Sequence, residues 1–289
     1  MKHWHRLAPY IRGLSRSRFG LHVTSVELST GADDRLGKNA EGSVLLLPPY
    51  RDDDEYFDEV ESRFRESTVF EGGGRRLPGA VVVEGSGGFG LGFSLDEAEK
   101  NASIMAGRGS APVTVEIEAS EEQLHESRSE VVRGSISVVT GGAQGFGAEI
   151  SRHLADAGST VFIADLNEDG ARRFSDELNE IAGRLVAVPI GADVSDESSV
   201  ESLFETVLAR AGGLDLFISN AGVIKAGSVK ELPLDSFNLL TRVNYVGYFL
   251  GVKYASQLMA IQHRSDFDYF TDIIQINSKS GLEGSNKNS

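Results

Sequence analysis

The chain has 289 residues, of which 40% are hydrophobic and 25% are charged. This is enough for a buried core in one large domain or two modest ones. None of its apolar runs is long enough to cross a membrane. Its net charge of -15 comes from acids spread along the chain, so nucleic acid is not an expected partner. It has no cysteine, which excludes disulfides, thiolate metal sites and a cysteine nucleophile and fits a cytoplasmic protein.

The first part of the chain has an irregular pattern of apolar residues. Ser94 and Glu97 have the spacing of a capping box, which predicts the start of a helix that ends near Met105. Buried or alternating runs predict strands in this part at 43–47, 80–83 and 113–117. These signals indicate a small α/β or α+β segment.

From residue 135 onward, strand and helix signals alternate regularly. Continuous apolar runs predict strands at 135–140, 160–164, 185–190, 214–219 and 273–276. Helical spacing of apolar residues lies between them, and the last helical stretch runs from about 234 to 261. This alternation predicts a doubly wound parallel sheet of the Rossmann type, covered by helices on both faces.

A polar and acidic stretch separates these two patterns, and we interpret it as a linker. The sequence therefore predicts a first segment at 1–119, a linker at 120–133 and a Rossmann domain at 134–289.

A glycine-rich loop follows the first strand of the predicted Rossmann domain. Gly141 allows a sharp turn, Gly145 allows the backbone to approach a pyrophosphate, and Gly147 allows the next helix to pack closely. The loop also contains Gln144 and Phe146, and the start of the helix offers free N–H groups to phosphate. The loop therefore predicts a dinucleotide site.

Asp165 ends the second predicted strand, at the distance from the glycine loop that a dinucleotide site requires. A carboxylate there accepts hydrogen bonds from both ribose hydroxyls and repels a 2′-phosphate, so we expect NAD rather than NADP. The alternative is a carboxylate that only begins the following helix.

Three further motifs follow the next strands in register. They are Asp193 with Val194, the run Asn220, Ala221 and Gly222, and Asn244 inside the long helix. An asparagine buried in an apolar helix needs hydrogen-bond partners, so we expect Asn244 to be buried and paired.

In this order, the motifs resemble the short-chain dehydrogenase/reductase family over about residues 135–289. The resemblance implies that Asp193 holds the adenine and that the 220–222 run stabilises the sheet beside the cofactor. It also implies that Asn244 belongs to a catalytic tetrad, where it orders a water in a proton relay. By position, Ser278 matches the serine that hydrogen-bonds the substrate oxygen.

The runs 243–250 and 273–281 resemble a subgroup of that family that acts on a polyol or sugar phosphate, similar to sorbitol 6-phosphate. The resemblance implies hydride transfer between NAD and a secondary alcohol of such a molecule. Lys225, Lys279 and Lys287 are candidates to bind its phosphate, although exposed lysines are commonly only solubilising charge.

The family's tyrosine and lysine, spaced Tyr-x-x-x-Lys, are expected directly after Ser289. We therefore interpret the chain as truncated, with a sheet incomplete at its C-terminus and no turnover of its own, while full-length relatives are expected to be homo-oligomers. The alternative is a catalytically inactive nucleotide-binding fragment.

A second G-x-G-x-x-G pattern, at Gly85, Gly87 and Gly90, leaves a second dinucleotide loop as an alternative. This part also resembles the C-terminal part of a class II aldolase/adducin domain, a family in which histidines hold a divalent metal. Ser86 stands where one such histidine is expected, and His3 and His5 lack the family's surroundings. We therefore expect no metal, with a metal-dependent aldolase-type lyase as the second alternative.

Overall fold

A computed structural model describes residues 3–14, 21–28, 44–71, 74–108, 115–117, 132–228, 230–265 and 269–278. The chain forms two compact units. The first contains Met1–Ile136, Glu205–Leu214 and Leu258–Phe270, and the second contains Ser137–Phe204, Asp215–Gln257 and Thr271–Ser289.

The first unit begins with a short 3-10 helix at His3–Arg6 and contains two small sheets. Its helices are α1 (Leu7–Leu14), α2 (Asp54–Glu66) and α3 (Leu95–Met105). Its strands are β1 (His22–Val26), β2 (Val44–Leu47), β3 (Val69–Glu71), β4 (Gly74–Leu77), β5 (Ala80–Val83), β6 (Gly87–Gly92) and β7 (Val115–Ile117). These confirm the strand predicted at 80–83, the strand predicted at 43–47 from residue 44 onward, and the strand predicted at 113–117 from residue 115 onward. Residues 43, 113 and 114 lie outside the described residues.

One of these sheets is mixed, with the order β1-β6-β5-β2. The strands β2 and β5 are parallel, whereas β6 is antiparallel to both of its neighbours. The other sheet, β3-β4-β7, is antiparallel. The first unit is therefore built on a pattern distinct from that of a parallel Rossmann sheet.

The capping box predicted at the start of α3 is present. The Ser94 hydroxyl accepts a hydrogen bond from the backbone N–H of Glu97 at 3.2 Å. The Glu97 carboxylate accepts one from the backbone N–H of Phe93 at 2.8 Å. The first bond satisfies an N–H group that the first turn of a helix leaves free, and the second goes to the residue before the N-cap instead of to the N–H of Ser94 itself.

The second G-x-G-x-x-G pattern forms a β-hairpin. Gly85 has a φ of +68° in the turn, and the residues after it form β6, antiparallel to β5. A Cβ atom on Gly90 would overlap the carbonyl oxygen of Ala98 and the amide nitrogen of Ala102 in α3. These glycines thus permit a turn and a close helix contact. The alternative of a second dinucleotide loop is wrong, because a strand and not a helix follows the loop.

Three tyrosines near α2 have pKa values above the usual range. Burial, followed by the nearby Glu61 carboxylate, raises the pKa of Tyr10 to about 12. Burial, followed by the nearby Asp52 carboxylate, raises the pKa of Tyr50 to about 12. Burial also raises the pKa of Tyr56, whose hydroxyl donates a hydrogen bond to the carbonyl oxygen of Pro48 at 3.1 Å.

We expect the first unit to lose stability between about pH 10 and pH 12. A pKa raised by folding favours the neutral phenol in the folded state, so this contribution is complete below pH 10 and is lost as the pH approaches 12. The measurement is tyrosinate absorbance together with circular dichroism across this range. The Tyr10→Phe and Tyr50→Phe variants should lose less stability with pH than the unmodified chain. Ionisation of all tyrosines near pH 10 with the fold intact would contradict the prediction.

The second unit is built on a parallel sheet that has five strands within the described residues. Its strands are β8 (Ile136–Thr140), β9 (Thr160–Asp165), β10 (Ala187–Gly191), β11 (Leu216–Ser219) and β12 (Asp272–Gln275). Its helices are α4 (Gly145–Asp156), α5 (Glu168–Ala182), α6 (Glu197–Ala211), α7 (Leu234–Thr241) and α8 (Gly247–Ser265), with a π-helical turn at Arg242–Val246. The predicted strand and helix alternation is confirmed.

The strand order β10-β9-β8-β11-β12 places the first strand of the domain in the centre. The strand pairs β9–β10, β8–β11 and β11–β12 are all parallel. The chain runs outward from β8 to β10 and then returns to β11 on the other side. The point where the direction reverses therefore lies between the carboxyl ends of β8 and β11.

Helices cover both faces of this sheet. On one face, Phe174 and Leu178 of α5 and Ala155 of α4 pack with Ile163 and Ile218 of the strands. On the other face, the rings of Phe204 in α6 and Phe217 in β11 pack edge to face, with their centres 5.5 Å apart. Gly251 of α8 lies against Phe217. Since successive strand residues point to opposite faces, Phe217 and Ile218 define the two layers. The predicted Rossmann-type fold is confirmed.

No helix within the described stretches is at once long and apolar enough to cross a membrane.

Candidate nucleotide-binding site

The glycine-rich loop connects the carboxyl end of β8 to the start of α4, at the point where the strand order reverses. Gly141 has a φ of +61°, and a Cβ atom on it would lie 2.9 Å from the Cα atom of Ala221. A Cβ atom on Gly147 would overlap the carbonyl oxygen of Gly141. Both positions therefore require glycine, the first for its backbone conformation and both for close packing.

The exposed side of this loop has the features of an anion site. Gly145 has a φ of +56°, and no atom lies within 4 Å of the place where its Cβ would stand. Gln144 occupies the N-cap of α4, and its side chain makes no capping hydrogen bond. The first N–H groups of α4 thus receive no side-chain cap from Gln144 and lie in a field that favours negative charge, which suits them to bind an anion. Phe146, in the same turn, is 83% exposed.

Asp165 ends β9 with its side chain buried against the loop. One carboxylate oxygen accepts a hydrogen bond from the backbone N–H of Ala143 at 3.1 Å, and the other accepts one from Asn167 at 2.9 Å. These bonds hold the carboxylate beside the glycine loop. Asp165 does not cap the following helix. The N-cap of α5 is Asn167, whose side-chain oxygen accepts a hydrogen bond from the backbone N–H of Gly170 at 3.0 Å.

Asn220 joins the carboxyl ends of the two central strands. Its amide nitrogen donates to the carbonyl oxygens of Thr140 at 3.0 Å and Gly141 at 3.1 Å. In return, the hydroxyl oxygen of Thr140 accepts hydrogen bonds from the backbone N–H groups of Asn220 and Ala221, both at 3.1 Å. These hydrogen bonds hold together the two strand ends at the crevice where the strand order reverses. Gly222 follows them in the chain. Sequence reasoning missed Thr140, although a hydroxyl residue directly before a glycine loop was the available signal.

Asp193 and Val194 lie after β10. The Asp193 carboxylate accepts a hydrogen bond from the backbone N–H of Ser195 at 2.8 Å, and its own N–H donates to the Ser199 hydroxyl at 2.9 Å. A Cβ atom on Gly247 would lie 3.0 Å from a methyl carbon of Val194, which places the start of α8 close to this turn. The contact of Asp193 with an adenine stays a prediction.

Asn244 lies in the π-helical turn that interrupts the helix predicted at 234–261. The backbone N–H of Gly247 donates to the carbonyl oxygen of Arg242, five residues earlier, which is the π-helical pattern. The expectation that Asn244 is buried is wrong, since its side chain is exposed. The expected pairing is present: Asn244 accepts from the N–H of Val223 at 2.8 Å and donates to its carbonyl oxygen at 2.9 Å.

We expect Asn244→Leu to destabilise the loop after β11 by about 1 kcal/mol, because both backbone groups of Val223 lose their partner and only water replaces it. The loss should appear in urea unfolding and as faster hydrogen exchange of the Val223 amide. Asn238→Ala, at an exposed position of α7, serves as the control and should leave both unchanged. Equal stability of the two variants would show that the paired bonds contribute nothing.

Ser278 lies beyond the carboxyl end of β12, on the edge that also carries the loops of β8 and β11. The parallel register pairs Ser219 with Gln275, and the N–H of Ile276 donates to Ser219 at 2.9 Å. Ser278 is exposed, and its backbone N–H donates to the Asn277 side chain at 2.8 Å. Its catalytic role stays a prediction.

Of the three candidate phosphate-binding lysines, Lys225 is exposed in the loop after β11. Lys279 and Lys287 lie outside the described residues. In the parts of the chain that the structure describes, no group of three or more histidine, aspartate or glutamate side chains is arranged to hold a metal ion. The metal-dependent lyase alternative therefore has no ligand set in those parts.

A sequence model of the short chain dehydrogenase family matches residues 135–289. Among curated proteins, the chain is similar to sorbitol-6-phosphate 2-dehydrogenase of Escherichia coli, with 39% identity over 157 residues, covering 53% of this chain and 58% of the relative. It is also similar to trans-4-hydroxycyclohexanecarboxylate dehydrogenase of Sinomonas cyclohexanicum, with 34% identity over 160 residues, covering 54% and 59%. The chain thus spans little more than half the length of these relatives.

Among solved structures, the chain is similar to sorbitol-6-phosphate 2-dehydrogenase from Erwinia amylovora, with 42% identity and a TM-score of 0.48. The match covers 53% of this chain and 57% of that one.

Proposed function

The chain belongs to the short-chain dehydrogenase family, as its motifs predict, and from that premise we propose that it is the nucleotide-binding part of an NAD-dependent oxidoreductase. The whole protein transfers a hydride between the nicotinamide and a secondary alcohol. The observation that carries the proposal is the Asp165 carboxylate at the end of β9, hydrogen-bonded to the backbone of the glycine loop.

The preference for NAD is supported by the position of this charge. Asp165 is held by the N–H groups of Ala143 and Asn167, so its remaining lone pairs are available to ribose hydroxyls. A 2′-phosphate at the same place would meet a fixed negative charge in a poorly solvated site. A carboxylate in this position therefore favours the cofactor without that phosphate.

The remaining residues of the site act by binding and orientation. The bound nicotinamide supplies the hydride acceptor. We propose that the N–H groups at Gly145 and Gly147 bind the pyrophosphate and that Asp193 and Val194 bound the adenine. Asn220 holds the strand ends at the crevice through its bonds to Thr140 and Gly141.

The proton of the alcohol requires a further group. We propose that Ser278 donates a hydrogen bond to the substrate oxygen and that Asn244 fixes the adjoining loop through Val223. None of the seven tyrosines of the sequence stands four residues before a lysine. A serine alone is a weak base at neutral pH, and general acid–base catalysis contributes about 10²–10⁴-fold.

We propose a polyol or sugar phosphate as the substrate of the whole protein, on the similarity to the sorbitol-6-phosphate 2-dehydrogenase of Escherichia coli. We propose that Lys225, which is exposed in the loop after β11, attracts such a phosphate. Assembly of the whole protein into homo-oligomers is part of the same proposal.

The second candidate is a nucleotide-binding module without catalysis, and the observation that favours it is the absence of the Tyr-x-x-x-Lys spacing from the 289 residues. The two are separated by assaying the purified chain for NADH binding and for NAD reduction with sorbitol 6-phosphate and with sorbitol. Binding with turnover of the phosphate supports the oxidoreductase in this chain. Binding without turnover is expected of both candidates for residues 1–289, and the same assay on the whole protein then separates them, because only the oxidoreductase reduces NAD. Absence of binding overturns both.

A further inference from the structure

Helix α1 is buried on every side. Each of its eight residues, Leu7–Leu14, is buried, including the charged Arg12, which is 1% exposed. A helix on a protein surface buries one stripe and leaves the other to water. The burial of the whole helix means that other parts of the first unit enclose it.

The Arg12 guanidinium connects α1 to the chain that follows α8. Its Nε donates to the carbonyl oxygen of Leu21 at 2.6 Å, and an Nη donates to the Tyr269 hydroxyl. The guanidinium also lies over the Tyr269 ring, 5.5 Å from its centre. A buried guanidinium is tolerated only where such partners replace its water. The bond to Tyr269 therefore joins residues that are 257 positions apart in the sequence.

The last turns of α8 pack directly on α1. A Cβ atom on Gly13 would overlap the Ser265 hydroxyl and would lie 2.9 Å from the carbonyl oxygen of Gln262. Gln262 is fully buried, and its side-chain oxygen accepts a hydrogen bond from the backbone N–H of Leu214 at 2.6 Å. Gly213 lies against both Gln262 and Arg12. One polar cluster thus links α1, the end of α8 and the segment after α6.

The end of α6 is held by β1 and α3. The Thr24 hydroxyl donates to the carbonyl oxygen of Arg210 at 2.6 Å, and Nε of Arg210 donates to the Glu99 carboxylate at 2.9 Å. Gly212, with a φ of +79°, lies so close to Val23 that a Cβ atom there would overlap its side chain. These contacts are independent of Arg12.

We propose that residues 7–14 and 21–28 are a permanent intramolecular partner of the ends of α6 and α8, with Arg12 at the centre of the interface. The contacts connect residues on both sides of the predicted linker 120–133. The segment before the dehydrogenase part therefore completes the packing of two of its helices. Those helix ends depend on it for their local stability.

The test compares Arg12→Met with Arg6→Met in the full chain by hydrogen–deuterium exchange. Arg6 pairs with Asp52 at 2.8 Å on the surface, so it is a matched control for the loss of one charge. We expect Arg12→Met to accelerate exchange at least tenfold in peptides covering 205–214 and 258–265, which corresponds to about 1.4 kcal/mol of local stability. Acceleration confined to 7–14, or equal effects of the two variants, would overturn the proposal.

A cross-link tests the contact in a chain that keeps Arg12. The sequence has no cysteine, so Gly13→Cys with Ser265→Cys introduces a single possible disulfide. The two Cβ positions lie 3.1 Å apart, a few tenths of an ångström short of the roughly 3.5–4.5 Å found in disulfides. We expect mild oxidation to close this bond. Gly107→Cys with Ser265→Cys is the control, because no atom lies within 4 Å of a Cβ on Gly107. A folded chain in which neither pair closes, or both close equally, would contradict the proposed interface.

Discussion

Replacing Gly147 with valine is expected to abolish NADH binding and to destabilise the second unit by about 1–3 kcal/mol, the usual cost of overpacking. A Cβ atom at this position would overlap the carbonyl oxygen of Gly141, and the Asn220 amide stands 2.5 Å from it. The start of α4 would have to move away from Gly141, and the N–H groups that we propose to bind the pyrophosphate would move with it. The measurements are fluorescence titration with NADH and unfolding in urea.

Gly183→Ala is the matched control for this variant. Gly183 has a φ of +65° at the end of α5, and no atom lies within 4 Å of a Cβ placed there. The substitution adds backbone strain without a clash, so it should lower stability by about 1 kcal/mol and leave NADH binding unchanged. If Gly147→Val bound NADH as well as Gly183→Ala does, the loop would not be the pyrophosphate site.

Replacing Asp165 with alanine is expected to weaken NADH binding by about 10–100-fold while NADPH binding is maintained or improved. Hydrogen bonds to a charged group contribute about 1.5–3 kcal/mol, and the variant removes those expected between the ribose hydroxyls and the carboxylate. The repulsion of a 2′-phosphate is lost in the same step, so the preference for NADH narrows. The backbone N–H groups of Ala143 and Asn167 also lose their acceptor, so stability should fall.

Two further variants separate charge from structure. Asp169→Ala removes the same charge from an exposed position in the first turn of α5 and should not affect the preference. Asp165→Asn keeps one acceptor for the loop but carries no charge, so it should narrow the preference with a smaller loss of stability. An unchanged ratio of NADH to NADPH affinity in Asp165→Ala would assign the carboxylate a purely structural role.

The Rossmann part was predictable because its signals are local and continuous. The strand β9 is buried along its whole length, so its apolar run appears directly in the sequence. The glycine loop and Asp165 are predictable because a turn, a close helix contact and a strand end restrict the residue type at each position. The same holds for the Ser94 cap of α3, which depends on residues three apart.

Other features depend on contacts that no local pattern contains. A π-helical turn adds one residue to a helix without changing its composition, so the exposure of Asn244 was not predictable from apolar spacing. The G-x-G-x-x-G pattern at Gly85 is ambiguous, because a turn in a hairpin also needs glycine. The burial of Arg12 depends on Tyr269, which is 257 residues away.

The most direct test of the proposed function is a titration of the unmodified chain with NADH and with NADPH under identical conditions. Asp165, the glycine loop and the strand ends joined by Asn220 together predict saturable binding of both, with NADH bound more tightly by at least about tenfold, the effect of 1.4 kcal/mol. Tighter binding of NADPH would contradict the role of Asp165, and absence of binding to a folded chain would contradict the site itself.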